Sequence, residues 1–205
     1  MARLDAANSA REAGLAGCRT TIRASSSAIR AVHLLDPDTA EQRLAEAETA
    51  LTAARDTLDP YPALVHAGFL HDAAKEYVEA RVTVALVSGA EVPSPAELGV
   101  EDPAWLNGVA EAASELRRHA LDRLRAGQLD EAELLLARMD AVFGELVAID
   151  APDALTGGLR RTLDALRAVL ERTRGDLTSA VVQHRLQRAI EGLGDRGGGA
   201  PGGVR

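Results

Sequence analysis

The chain of 205 residues carries 23 lysine and arginine residues against 31 aspartate and glutamate residues, a formal net charge of −8. Its length suits one domain with a core that is stable without disulfides. The single cysteine, Cys18, excludes an intramolecular disulfide and a thiolate zinc site. Aromatic residues make up 2%, too few for the stacking platforms of RNA-recognition or oligonucleotide-binding folds. Any nucleic acid would therefore be bound by arginines and by shape.

The sequence also lacks the marks of membrane proteins and of several enzyme classes. No apolar run approaches the roughly 20 residues that a transmembrane helix needs, and no secretory leader is recognisable. We therefore expect a cytoplasmic protein with no membrane partner. There is no glycine-rich phosphate loop after a strand, no G-x-S-x-G elbow and no H-E-x-x-H motif.

Apolar residues recur at spacings of three and four along almost the whole chain, which predicts an all-α fold of about six to seven helices. Prolines and glycines set the boundaries between the helices. We predict helices at Leu4 to Leu35, Ala40 to Leu58, Ala63 to Ser88, Ala104 to Ala126 and Leu129 to Val147, and a last one beginning near Leu159 that continues or restarts at Gly175. Residues 1–192 then form a single helical domain, and residues 193–205 form a glycine-rich flexible tail.

The third predicted helix carries an acidic stripe on an otherwise apolar surface. At 100° per residue, one face is apolar: Leu70, Ala74, Tyr77 and Val84. A strip on another side is polar: Asp72, Glu76, Glu79 and Thr83. Neighbouring carboxylates repel one another, so such a stripe usually faces water, a basic partner or a metal ion. The simplest interpretation is a solvated face on which Lys75 pairs with Glu79, one turn further along.

The fourth predicted helix supplies a second acidic pair, because Glu111 and Glu115 are four residues apart and lie about 40° apart on one face. If the third and fourth helices pack antiparallel, which their connecting loop permits, four carboxylates converge, as in metal-binding helix bundles. Ligands that are all oxygen favour Mg²⁺, with Mn²⁺ as the second candidate, and such ions support phosphodiester hydrolysis. Pairing of Glu115 with Arg118 or His119 on its own helix is the competing interpretation.

Arginines form a basic stripe on the first predicted helix, where they fall close together on one face: Arg11, Arg19, Arg23 and Arg30. Arginine suits phosphate groups because its planar fork offers several donors. Arg117 and Arg118 add a smaller cluster beside the second acidic pair. A solvated polar face, or ion pairs along and between helices, would explain the same residues without a ligand.

Two histidines, His66 and His71, lie close in sequence to the acidic stripe. A histidine there could contact phosphate or transfer protons, although a structural role is the commoner one for such residues. Cys18 has no recognisable base partner in the sequence, so we interpret it as a buried structural thiol.

Several segments follow one another in an order that resembles the translin/Trax family of helical nucleic-acid-binding proteins. They are "HAGFLHDAAKEYVEA", "ELGV", "WLNGVAEAASELRR", "RAGQLDEAE" and "DALTGGLRRTLDALRAVLERTRGDL". No single segment is specific, but the ordered set covers most of the chain. The resemblance implies an all-helical subunit that assembles into an octameric shell, with nucleic acid enclosed and basic residues of the first helix contacting it.

In Trax, two glutamates of the E-Y-V-E segment and two acids of the next long helix form a magnesium-dependent ribonuclease site. Glu76, Glu79 and Glu115 match three of these acids, and Glu111 stands where Trax has aspartate. The resemblance implies a homo-oligomeric endoribonuclease acting on single-stranded RNA, with single-stranded DNA as a second ligand. A noncatalytic, translin-like binding protein is the alternative, and a helical scaffold without either activity is the third possibility.

Overall fold

The computed structural model describes residues 1–197, and residues 198–205 of the expected tail lie outside that range. All regular secondary structure within the described range is helical, which confirms the predicted all-α class. The helices are α1 (Ala2–His33), α2 (Pro37–Leu58), α3 (Pro62–Val65), α4 (Phe69–Ser88), α5 (Pro95–Leu98), α6 (Asp102–Arg125), α7 (Leu129–Val147), α8 (Asp153–Thr156) and α9 (Leu159–Gly197).

Six of these helices are long, and α3, α5 and α8 are single turns of four residues each. The prediction of one helix from Ala63 to Ser88 was wrong. The chain breaks before α4 because Gly68 adopts a φ of 88°, a left-handed conformation that only glycine adopts without strain. The last helix does not restart at Gly175 but continues through it, and it extends beyond residue 192.

Helices α1 and α2 form a tightly packed hairpin. Asp36 caps α2 by accepting a hydrogen bond from the backbone N–H of Thr39 at 3.0 Å, and Pro37 opens the first turn. Small residues let the two helices approach closely, since a Cβ at Gly17 would lie 2.9 Å from the Cβ of Ala54. The buried residues of α2 recur at spacings of four and three: Ala40, Leu44, Ala47, Leu51, Ala54 and Leu58.

Helices α4 and α6 run parallel, so the expectation of antiparallel packing was wrong. Leu70 and Pro103, near the starts of the two helices, line the same cavity, and Lys75 of α4 contacts Glu111 of α6 further along. Residues 89–101 carry the chain back along the bundle, and the indole N–H of Trp105 anchors this segment by donating to the carbonyl of Pro93 at 2.8 Å. The same stretches of α4 and α6 still lie side by side, because only the direction of α6 differs from the expectation.

Helix α6 lies at the centre of the largest core cluster and packs against α4, α7 and α9. Its buried face is built mainly from alanine and leucine, and Leu116 is fully buried. Fully buried partners surround it on the neighbouring helices, namely Val78 and Val82 of α4, Met139 of α7 and Leu166 of α9. Within the described residues, no helix is both long enough and apolar enough to span a bilayer.

Gly108 lies where α4 and α6 touch. A Cβ at this position would lie 2.7 Å from the Cβ of Val78 and 2.8 Å from the carbonyl oxygen of Lys75. We expect Gly108→Ala to lower the free energy of unfolding by about 1–3 kcal/mol, because the backbone oxygen cannot move aside cheaply. Urea denaturation measures the effect.

Gly144→Ala is the matched control, because Gly144 lies on an exposed face of α7 with open space around it. That change should stabilise the protein by up to about 1 kcal/mol through helix propensity alone. Equal stabilisation by both substitutions would show that the two helices are not in close contact at Gly108.

Candidate functional site

Three carboxylates meet where α4 and α6 lie side by side. Glu76 and Glu79 of α4 and Glu111 of α6 each place one oxygen so that all three atoms lie within 4.8 Å of one another. The i, i+3 spacing puts the first two on one face of α4, and the close approach at Gly108 brings the third to them. All three side chains are half-buried. We call these three residues the acidic cluster.

Lys75 supplies the positive charge nearest to the acidic cluster. Its Nζ lies 2.8 Å from Oε1 and 2.7 Å from Oε2 of Glu111, and 3.9 Å from Oε1 of Glu76. The prediction that Lys75 pairs with Glu79 along α4 was therefore wrong, since its short contacts go to Glu111 on the other helix. One ammonium group holds both oxygens of a single carboxylate.

Burial and mutual repulsion perturb the charges of the acidic cluster. Burial, reinforced by the neighbouring carboxylates, raises the pKa of Glu79 to about 8. The pKa of Glu76 is also raised, chiefly by burial and against the opposing effect of Lys75. Burial acts to lower the pKa of Lys75, but its hydrogen bond and charge attraction to Glu111 outweigh burial, and the pKa is raised. The surroundings therefore stabilise the charged forms of Glu76 and Glu79 poorly.

Glu115 lies outside the acidic cluster and is bound by a histidine. Its Oε2 is 3.0 Å from Nε2 of His33, whose side chain is only 3% exposed. The His33 ring packs against that of His119 with the ring centroids 4.7 Å apart. Burial, together with the nearby His33, lowers the pKa of His119 to about 4, which keeps its imidazole neutral at physiological pH. The predicted pairing of Glu115 with Arg118 or His119 is absent among the described residues.

The sequence did not point to His33, because its partner is 82 residues away and comes from a different helix. Its only signal was its place in the last turn of the first long helix. The structure thus gathers Glu76, Glu79 and Glu111 into one cluster and places Glu115 beside it on a separate hydrogen bond. The carboxyl group of Glu115 still contributes to raising the pKa of Glu79, which shows that the two groups are close enough to interact.

The basic residues divide into free and paired groups. Arg19 and Arg30 are exposed and form no salt bridge among the side chains that the structure describes, whereas Arg11 pairs with Glu12 at 2.7 Å. Arg117 contacts Asp176 at 2.8 Å, which ties α6 to α9. The two remaining candidates, Arg23 and Arg118, are exposed, as is His66, while His71 lines a groove next to Lys75.

The acidic cluster has the chemistry of a site for a hard divalent cation. Its donors are all carboxylate oxygens, which Mg²⁺ and Mn²⁺ prefer, and they come from two helices that are held rigidly together. Burial, with the neighbouring carboxylates, raises the pKa values of Glu76 and Glu79, and a bound cation would favour their charged forms. The residues present therefore fit such an ion, with Glu76, Glu79 and Glu111 as its ligands.

The fold and the site define an all-α bundle protein that gathers carboxylates from two parallel helices. Solved structures of C3PO proteins are similar to it. The chain is 33% identical to AfC3PO, with a TM-score of 0.81 over 89% of this chain and 95% of that one. A structure described as an AfC3PO–duplex RNA complex is 34% identical, with a TM-score of 0.78 over 88% and 94%. The chain belongs to the translin/Trax family.

Two further proteins are similar to the chain at lower identity. Apo-NeC3PO shares the fold with a TM-score of 0.77 over 87% of this chain and 93% of that one, at 19% identity. The chain is also 27% identical over 137 residues to the uncharacterized protein MJ0175 of Methanocaldococcus jannaschii. That match spans 66% of this chain and 60% of the relative's length. No family model matches the chain.

The stability of the metal-free protein depends on pH through the carboxyl group of Glu79. The pKa of Glu79 is about 8 in the folded chain against an ordinary 4.5, so between these values the folded state binds more protons than the unfolded state. The contribution of Glu79 to stability is therefore fully present below pH 4.5 and is lost as pH rises towards and through 8. We expect Glu79→Gln to raise the melting temperature by several degrees at pH 9 and to change it little at pH 4.

Thermal melts in EDTA at both pH values measure this difference. Glu133→Gln is the matched control, because Glu133 lies exposed on α7, and its effect should not differ between the two pH values. A Glu79→Gln effect of the same size at pH 4 and pH 9 would contradict the raised pKa of Glu79.

Proposed function

We propose that the chain is a Mg²⁺-dependent endoribonuclease for single-stranded RNA that acts inside a shell-like homo-oligomer. The observation that carries the proposal is the acidic cluster, whose three oxygens lie within 4.8 Å of one another. Membership of the translin/Trax family and similarity to a protein solved with duplex RNA support a nucleic-acid ligand. Single-stranded DNA is the second ligand to test, and Mn²⁺ is the second candidate metal.

The residues divide the work of hydrolysis. Glu76, Glu79 and Glu111 hold the ion, and Glu115, fixed by His33, accepts the proton of the attacking water. The water oxygen forms a bond to phosphorus, the bond from phosphorus to one ribose oxygen breaks, and that oxygen takes up a proton from solvent. Bound Mg²⁺ supplies positive charge for the phosphoryl oxygens and favours ionisation of water. Resemblance to Trax supports these residues, and Glu111, which replaces the family aspartate, reaches the cluster despite its longer side chain.

Glu79→Gln and Glu115→Gln separate these two roles. We expect Glu79→Gln to lose Mn²⁺ binding and to reduce cleavage of labelled single-stranded RNA by at least about 100-fold. Glu115→Gln should reduce cleavage by a similar factor but retain Mn²⁺ binding, because it removes a base and not a ligand. Gel assays with Mg²⁺ or EDTA measure cleavage, and titration of Mn²⁺ measures binding.

Undiminished Mg²⁺-dependent cleavage in both variants would overturn the nuclease assignment. Glu133→Gln serves again as a control, because this exposed residue lies on α7, away from the cluster. Loss of Mn²⁺ binding in Glu115→Gln would instead make Glu115 a ligand.

The alternative is a noncatalytic protein that binds single-stranded RNA or DNA, and one contact favours it. The Lys75 ammonium already holds both oxygens of Glu111, at 2.7 and 2.8 Å, and so occupies a carboxylate that the ion would need. Retention of intact RNA by the wild-type protein in Mg²⁺ would select this alternative. Cleavage in Mg²⁺ but not in EDTA would exclude it.

The exposed arginines of α1 are the proposed path for RNA towards the acidic cluster. At 100° per residue, Arg19, Arg23 and Arg30 project within about 80° of the direction of His33, which reaches Glu115. The arginine stripe therefore follows the side of α1 that leads to the cluster. Arg118 is the corresponding exposed residue on α6, whereas Arg117 is bound to Asp176 and is a weaker candidate than it was from the sequence.

Arg19→Glu tests this path. We expect weaker binding of a single-stranded RNA. The slope of log affinity against log salt concentration should be less steep by about 1, because a phosphate contact and its counterion release are lost. Arg174→Glu is the matched control, since Arg174 is bound to Asp140 at 2.7 Å on another face. Fluorescence anisotropy at several salt concentrations, in EDTA, measures both variants. An equal loss of affinity in both would contradict a specific path along α1.

Assembly into a homo-oligomer is supported by an uncovered apolar stripe near the end of α9. Its four residues recur at spacings of four, four and three and are 59–66% exposed: Val182, Leu186, Ile190 and Leu193. Contiguous exposed apolar residues of this kind mark protein–protein contacts. The family resemblance implies eight subunits, and analytical ultracentrifugation of the intact chain measures the number.

A further inference from the structure

Lys75 is the only lysine among the 23 lysine and arginine residues of the chain, and it lies against the acidic cluster. Its side chain is 22% exposed, and its Nζ contacts both oxygens of Glu111 within hydrogen-bond distance. The same Nζ lies 3.9 Å from Glu76. A monovalent cation that belongs to the chain therefore occupies oxygens that a divalent ion would bind.

We propose that Lys75 is an internal counter-cation of the acidic cluster, which a divalent ion displaces and which then contacts a phosphate of the RNA. The proposal rests on the proposed function, because it assigns a role within the same site. An ammonium and a divalent ion compete for the same carboxylate oxygens and also repel each other, so both cannot hold Glu111 at short range. Without metal, Lys75 stabilises carboxylates that would otherwise repel one another.

A groove beside the acidic cluster can receive the displaced side chain of Lys75. It has a volume of about 500 Å³ and is lined by Lys75, Glu111, His71, Arg161 and Asn107, among others. Arg161 and His71 are donors on the walls of this groove, and Asp72 is a further acid there. An ammonium released into the groove would add a third donor for phosphate. The groove is partly open to solvent, so a phosphate group can enter it from outside.

The residue type suits this role. Lysine carries a compact point charge on a flexible stem, whereas the planar fork of arginine would hold Glu111 through two parallel hydrogen bonds. An arginine at position 75 would stay bound to the carboxylate of Glu111 even in the presence of metal. Arginine is the other long basic side chain of the sequence, as at Arg81, which binds Glu41 and Glu48 six residues further along α4.

Direct titration of Mn²⁺, followed by the electron paramagnetic resonance of the free ion and without RNA, tests displacement. We expect Lys75→Met to bind Mn²⁺ on the order of tenfold more tightly than the wild-type chain, because both competition and repulsion are removed. Lys75→Arg keeps the charge and should bind no more tightly than wild type. A purely structural role for Lys75 predicts the opposite, since damage to the site would weaken binding in Lys75→Met.

Arg81→Met is the matched control, because it removes a cation with two acidic partners from the same helix without touching the cluster. Its Mn²⁺ affinity should equal that of wild type. Equal or weaker Mn²⁺ binding by Lys75→Met, or no binding by either protein, would overturn the displacement. A different result would overturn the nuclease assignment, namely a wild-type chain that binds the metal but does not cleave RNA.

The affinity for RNA tests the second part of the proposal. With saturating Ca²⁺ as a probe ion in place of Mg²⁺, we expect Lys75→Met to bind single-stranded RNA several-fold more weakly than wild type, despite its tighter metal binding. In EDTA, where Lys75 remains on Glu111, the two proteins should bind RNA equally. Equal affinity in both conditions would overturn the phosphate contact.

Discussion

The close contact of α4 with α6 at Gly108 is the constraint on which the site depends. A side chain at this position would overlap Val78 and the carbonyl of Lys75, so the two helices reach this separation only because position 108 has no Cβ. Glu111 lies one turn further along α6, and its carboxylate meets those of Glu76 and Glu79 across the gap between the two helices. Packing in the core therefore sets the geometry of the charged site, and a looser interface would separate the carboxylates.

This geometry conflicts with stability in the absence of a cation. Three half-buried carboxylates repel one another, and burial raises the pKa of Glu79 to about 8, so part of the repulsion is relieved by a proton. Lys75 relieves another part by holding Glu111. Packing of α6 against α4, α7 and α9, through a core of alanine and leucine, offsets the remaining repulsion among the carboxylates. Strain of this kind at a site surrounded by ordinary packing is typical of functional positions.

The spacing of apolar residues predicted most of the helices. Contacts between distant parts of the chain determined how the helices are arranged. Helix periodicity gave the six long helices and the shared face of Glu76 and Glu79, because both follow from 3.6 residues per turn. The break at Gly68 was missed because an isolated glycine is common within helices, and only the structure shows its left-handed conformation. The parallel direction of α6 was missed because a loop of 13 residues can either turn back at once or run along the bundle. The contact of His33 with Glu115 joins distant helices, and no spacing rule predicts it.

His33 contacts both Glu115 and the ring of His119, so the environment of Glu115 differs from that of the acidic cluster. His33 is almost completely enclosed and uses Nε2 for Glu115, while its Nδ1 and the Nε2 of His119 are buried without a hydrogen-bond partner. Burial holds the pKa of His119 at about 4, so this ring adds no charge near Glu115 at neutral pH. Glu115 thus has a single neighbour that fixes its direction, whereas the cluster acids compete with one another for Lys75. Glu111 and Glu115 lie one turn apart on α6. The carboxylate of Glu111 is bound by the ammonium of Lys75, whereas that of Glu115 is bound by the imidazole of His33. This difference in partners is the physical basis for assigning the two residues different roles.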